Sequence, residues 1–137
     1  MTREEVKNKL KGYRDAQRRL EIAERELEVF ESKLTPSIDY SKPRVGGGKA
    51  SDIADIISKL AQMHDRVKEE YLEASRQLVE VKKLLESVDD EQSRDILSRR
   101  YISCQHWKTI SIEMRLDWRW MFRLHNRALD ELAKEVE

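Results

Sequence analysis

The sequence predicts an all-α protein: a long N-terminal helical hairpin, paired as an antiparallel coiled coil, followed by a three-helix helix-turn-helix domain. Three observations predict it. Glycine and proline together supply only six of 137 residues, so little interrupts a helix. Apolar residues recur every seven positions along two long stretches, which is the 3.5-residue period of a coiled-coil seam. After Val88 that pattern gives way to shorter helical segments joined by tight turns. The division expected is a hairpin over 1–88, with a loop at 35–50, and a helix-turn-helix domain over 89–137.

The first helix is expected from Thr2 to Leu34. Val6, Tyr13, Leu20, Leu27 and Leu34 stand seven apart, and Ala16, Ala23 and Phe30 follow their partners by three. Lys9 breaks the second position, and Gly12 weakens the helix by roughly 1 kcal/mol. The stretch "TPSIDYSKPRVGGGKA" holds both prolines and three of the four glycines. Proline removes a donor and glycine adds backbone entropy, so the helix is expected to end there.

A second helix is expected to open at Ser51 or Asp52, both suitable N-caps. Its seam reads Ile53, Leu60, Val67, Ala74, Val81 and Val88 at one position. Ile57, His64, Tyr71, Leu78 and Leu85 read as the other. Each helix would be ~50 Å long at 1.5 Å per residue. Stripes this narrow suit pairing of the two helices, within the chain as the first choice and between chains as the alternative. His64 then reads as a register-setting or interhelical polar group.

"DDEQSRDILSRRYI" suggests a shorter helix with an acidic cap. "HWKTISIEM" and "WRWMFRLHNRALDELAKEVE" follow as two more, separated only by Arg115, Leu116 and Asp117, with Asp117 able to cap the last. Apolar residues at Ile110, Met114, Leu116, Met121, Leu124 and Ala128 complete the layout of a helix-turn-helix. At 100° per residue, Met121, Leu124, Ala128 and Leu132 form one stripe of the last helix, while Arg119, Arg123 and Arg127 lie on another. Trp107 reads as core, and Trp118 and Trp120 fall at the margins of the buried stripe.

Total charge is balanced, with 27 basic and 27 acidic residues, and predicts no partner by itself. Its distribution is more telling. Residues 99–127 hold seven basic groups against Glu113 and Asp117, whereas 89–98 and 128–137 are each acidic overall. A guanidinium row on the helix after a tight turn can bind phosphate or grip guanine bidentately in the major groove. The plain alternative is a solvated face with i, i+4 pairing, for which the only acids nearby on that helix are Asp117, Asp130 and Glu131.

Residues 97–132, "LSRRYISCQHWKTISIEMRLDWRWMFRLHNRALDEL", resemble region 4 of the sigma-70 family of RNA polymerase sigma factors. The likeness rests on Leu97-x-x-Arg100-Tyr101, on Ile110 four residues ahead of Met114, and on Arg127-Ala128-Leu129-x-x-Leu132. The whole chain is similar to the sigma-like late-gene transcription regulators of Gram-positive bacteriophages, the RinA and ArpU kind. The resemblance implies a recognition helix over 118–127. By motif position it implies that Trp118, Arg119, Trp120, Phe122 and Arg123 face the groove and that Arg127, His106 and Lys108 meet the DNA backbone. Arg115 departs from the pattern, standing where such turns have glycine and where the backbone lies near αL, at about 1 kcal/mol for another residue. Ser111 replaces the usual alanine, and the two tryptophans replace polar groove-readers.

The function expected is therefore a sequence-specific DNA-binding transcription regulator, phage-encoded, acting on double-stranded DNA with RNA polymerase as a further partner. The hairpin would oligomerise it or dock that partner. The alternative is a helical adaptor that docks a protein through Trp118, Trp120 and Phe122, since tryptophan and arginine are enriched at binding hot spots. No catalytic arrangement stands out, so no enzyme is expected, and no cofactor. "GGGKAS" at 46–51 lacks the first glycine and the Ser/Thr of a phosphate loop. Cys104, His106 and His125 are too few for a four-ligand zinc site. A single cysteine fits a reducing compartment. No stretch approaches the ~18 apolar residues of a membrane span, nor does "MTREEVKNKLKGYR" hold a signal-peptide apolar core, so a cytoplasmic location is expected.

Overall fold

A computed structural model of the chain describes residues 1–37 and 49–135, with side chains over 1–34 and 51–135. Among these residues the fold is all-α, without strands. Its elements are α1 (Arg3–Ser37), α2 (Lys49–Glu86), α3 (Glu91–Tyr101), α4 (Trp107–Met114) and α5 (Trp118–Glu135). None of these helices is long and apolar enough to cross a membrane. The loop expected over 35–50 is trimmed at both ends, since 35–37 still belong to α1 and 49–50 already to α2. The rest of that loop, with the glycine run of "GGGKAS", lies outside the described residues.

The chain forms two compact units, Gln17–Glu73 and a larger one joining Met1–Ala16 to Ala74–Glu137. These units divide within both long helices, at 16/17 and 73/74. The reason is in the larger unit's core. Val6 and Leu10 of α1 and Val81, Leu85 and Val88 at the end of α2 share one buried cluster with Leu97, Tyr101, Ala128, Leu129 and Leu132. Helices α3 and α5 thus bury their apolar faces on the base of the α1–α2 pair. Each large aliphatic side chain so buried contributes on the order of 1.5–3 kcal/mol. A second cluster, Ile96, Ile110, Met121 and Leu124, holds α3, α4 and α5 together, with Trp107, Met114, Leu116 and Phe122 packed against it.

Within the smaller unit α1 and α2 pair antiparallel inside one chain. Polar contacts step up one helix and down the other: the ion pairs Arg19–Glu70 at 3.4 Å and Glu26–Arg66 at 2.7 Å, and His64 Nε2 against Glu31 Oε1 at 3.1 Å. The seam of α1 follows its predicted register, with Leu20 and Ala23 buried and Leu27 and Phe30 half-buried. The second seam position of α2 does not. Ile56 and Met63 line the contact, whereas Ile57 and Tyr71 are 61% and 59% exposed. One partner helix covers the first seam position and the one three residues on. A residue four on turns to the other flank, where the described residues of this unit add no third layer. In the larger unit α3 and α5 cover that flank, and Leu85 is buried as expected. His64 is accordingly an exposed interhelical partner of Glu31 and not part of the seam.

Local chemistry sets the short helices. Asp90 caps α3, its Oδ2 accepting from Ser93 N at 2.9 Å and Ser93 Oγ at 2.6 Å, and these bonds hold its carboxyl below the usual range. Arg94 reaches back to donate twice to the Val88 carbonyl, at 3.0 and 2.9 Å. Arg3 grips Asp130 with two parallel bonds of 2.8 and 2.7 Å, tying the start of α1 to α5.

Candidate nucleic-acid interface

The turn between α4 and α5 is built as a Schellman closure. Arg115 takes φ 54°, ψ 46°, and its N–H donates to the Ile112 carbonyl at 3.2 Å, while Leu116 N donates to Ser111 O at 3.0 Å. The αL corner expected at Arg115 is present on a non-glycine residue. Ser111 adds a bond of its own, Oγ donating to the Leu116 carbonyl at 2.8 Å, which is the use made of a hydroxyl where the pattern has alanine. Asp117 then caps α5, Oδ2 accepting from Arg119 N at 3.2 Å and Trp120 N at 3.4 Å. A second αL corner, Cys104 at φ 58°, joins α3 to α4; nothing in the sequence pattern announced it.

These turns fix which face α5 presents. Met121, Leu124, His125, Ala128, Leu129 and Leu132 point into the core. Arg119, Arg123 and Arg127 lie exposed on the opposite side. Among the described residues none of the three makes an ion pair. Of the acids near them on α5 or at its cap, Asp117 caps the helix, Asp130 is held by Arg3, and Glu131 forms no ion pair among the described residues; Asp90, capping α3, feels the charge of Arg127 without a direct bond. Arg127 instead lies over the Trp120 ring, 5.8 Å from its centroid.

Aromatic groups border this row on both flanks. Trp118 is 49% exposed and Trp120 40%. On one side Trp118 meets Phe122 edge-on at 5.0 Å, and Phe122 meets Trp107 at 4.8 Å. Phe122 is half-buried and belongs to this packing, so of the expected groove-facing residues it is the one least available to a ligand. Trp107 continues inward, its ring 4.8 Å from that of His125, and carries the Arg100 guanidinium 4.7 Å from its own centroid. Trp107 was expected in the core; it is half-buried and acts as the shelf between core and surface. His106 and Lys108 are exposed at the start of α4, where His106 is the N-cap residue and makes no side-chain cap bond.

Two groups beneath the surface were not recognised in the sequence as a pair. Tyr101 Oη lies 2.7 Å from His125 Nε2. Burial pushes the His125 imidazole down to about 4 and the Tyr101 hydroxyl up to about 12. His125 is therefore a neutral core residue under the arginine row. Its position between Met121 and Leu132 on the buried stripe was the available signal.

Collected in one place, then, are exposed Arg119, Arg123 and Arg127 on a helix entered through a tight turn, with Trp118 and Trp120 at its margins and His106 and Lys108 at the start of the preceding helix. Such an arrangement can engage a phosphate backbone by charge and base edges by bidentate hydrogen bonds. No curated protein and no solved structure matches the chain. A family model does, over residues 34–133, and the protein belongs to that family, described as "Protein of unknown function (DUF1492)".

Proposed function

We propose that the protein is a sequence-specific DNA-binding transcription regulator, a sigma-region-4-like helix-turn-helix protein of phage origin acting in the bacterial cytoplasm. The observation that carries the proposal is the unpaired, solvent-facing row of Arg119 and Arg123 on the helix that follows an αL turn. An exposed guanidinium with no carboxylate partner offers its full set of planar donors to a ligand. The start of α5 enters the major groove, with Arg119 and Arg123 toward base edges. Arg127 and Lys108 meet phosphates, with His106 beside them. Trp118 and Trp120 supply apolar contact to sugars or thymine methyl groups.

Selection of bound duplexes from a randomised pool tests this, followed by Arg123→Ala on the selected site. A base-reading arginine loses discrimination at one position by about 1–3 kcal/mol, while a phosphate contact weakens all sequences alike. A pool that yields no enriched site removes the sequence-specific part of the proposal.

A second reading is favoured by the exposure of Trp118 and Trp120. Here the same end of α5 docks a protein, RNA polymerase being the partner the resemblance suggests. Pull-down of polymerase subunits without retention on DNA supports this adaptor role over the first, and Trp118→Ala with Trp120→Ala would abolish capture.

A further inference from the structure

A second basic surface lies in the same unit, outside the α4–α5 turn. Lys7, Lys11 and Arg14 are spaced i, i+4, i+7, so they form one stripe of α1. Val6 and Leu10 on the same turns of α1 are buried in one cluster with Leu97 and Tyr101 of α3, which brings the stripe beside the C-terminal end of α3. There Arg100 adds a further guanidinium. It donates to the Gln105 carbonyl at 3.0 Å and stacks on Trp107. All four cations are half-buried, with aliphatic stems against the protein and charged ends at the surface.

No direct ion pair neutralises this cluster among the described residues. Glu4 stands three residues before Lys7 and Asp15 four after Lys11, both within helical reach. Yet none of Lys7, Lys11, Arg14 and Arg100 forms an ion pair among the described residues. The crowding is felt by Arg100, whose guanidinium is less basic than usual, first through burial and then through the positive charge of Arg14. Holding like charges together without direct ion pairs is unfavourable for the protein alone and becomes favourable when a polyanion lies across them.

The cluster also joins the interface already described. Arg100 rests on Trp107, Trp107 stands between His106 and Lys108 in sequence, and its ring leads through Phe122 to Trp118. Ring contacts thus link Arg100, beside the α1 stripe, to Trp118 at the start of α5.

We infer that Lys7, Lys11, Arg14 and Arg100 form a second, sequence-independent contact to the phosphate backbone of duplex DNA, extending the interface beyond the helix-turn-helix. This rests on the DNA-binding function proposed above. The stripe faces phosphates that flank the site read by α5. It sets affinity and register without altering which bases are read.

The test is the salt dependence of binding by the full chain to a fluorescein-labelled mixed-sequence duplex. Each phosphate contact contributes roughly 0.9 to the slope of log K against log salt. The variant Lys7→Gln/Lys11→Gln/Arg14→Gln should lower that slope by about 2–3 while leaving the order of preference among selected sequences unchanged. Lys82→Gln/Lys83→Gln, exposed on α2, is the charge control and should keep the parent slope. Circular dichroism melting verifies the fold, and Arg14→Gln alone, with an expected loss of about one, serves should the triple variant unfold. Parent-like slopes in both stripe variants, or equal losses in the charge control, overturn the inference while leaving the helix-turn-helix function intact. Absence of DNA binding by the parent chain overturns both. Slope retained on DNA but binding lost to an acidic protein surface would assign the stripe to a protein partner instead.

Discussion

Tyr101 Oη and His125 Nε2 lie 2.7 Å apart in the core of the larger unit, with both residues at most 3% exposed. The imidazole is neutral, so Nε2 accepts from the hydroxyl and Nδ1–H is left for the Asn126 Oδ1 at 3.2 Å. This pair sits directly behind the arginine row and holds α3 to α5. Tyr101→Phe keeps the ring and strands a buried acceptor. Its expected cost is about 1–3 kcal/mol of unfolding free energy, read from urea denaturation at neutral pH.

The same histidine makes stability depend on pH. Its folded value is about 4 against an ordinary 6.5, so between these limits the unfolded chain binds more protons. Stability is complete above pH 6.5 and falls as pH drops toward 4. The loss is of the order of 3 kcal/mol if the shift is fully expressed. Asp130, whose carboxyl is held low by Arg3, acts in the same direction only at still lower pH. Denaturation midpoints between pH 7 and 4 should slope for the parent and flatten for His125→Gln. A parent profile that is level over that range would show the histidine to be solvated.

Arg115 holds φ 54° at the corner between α4 and α5. The left-handed region costs a non-glycine residue roughly 1–2 kcal/mol, partly offset by glycine's larger entropy loss. Arg115→Gly is therefore expected to raise stability by about 0.5–1 kcal/mol, measured by thermal or urea unfolding. A destabilised glycine variant would mean that the arginine side chain makes a contact that outweighs the strain.

Much of this architecture was legible in the chain. The run of charged and aliphatic residues broken at one proline- and glycine-rich stretch announced two long helices. Arg115-Leu116-Asp117 between two apolar-periodic segments announced the turn, and the left-handed corner fell where it was expected. What was not legible came from the third layer. A heptad shows that a residue is apolar, not which neighbour covers it. Ile57, Tyr71 and Leu85 are equivalent by spacing, yet only Leu85 meets α3 and α5. The joining of Val6 and Leu10 to the C-terminal core was hidden for the same reason. So was the role of Arg100, whose partner Trp107 lies on another helix. For the candidate interface, exposure of Arg119 and Arg123 followed from helical angle alone. That Asp130, three residues beyond Arg127, is held by Arg3 from 127 residues away did not.

The revised seam of α2 has a direct consequence. Ile57→Gln should change stability by less than about 0.5 kcal/mol, as exposed substitutions do. Ile56→Gln, one residue away and facing α1, should cost about 1 kcal/mol or more by placing an amide in the seam. Chemical denaturation of the two variants decides the register. A larger effect at Ile57 would restore the position first read from the heptad.

The central claim is that the row on α5 is a surface for duplex DNA. The most direct measurement is a low-salt fluorescence anisotropy titration of the full chain with mixed-sequence duplex and with genomic fragments. Arg119→Ala/Arg123→Ala is measured beside the parent. The parent is expected to bind, losing affinity steeply as salt rises, and the double variant to bind at least tenfold more weakly on a selected site. No binding to any of these DNAs at low salt, or equal affinity for parent and double variant, would contradict it.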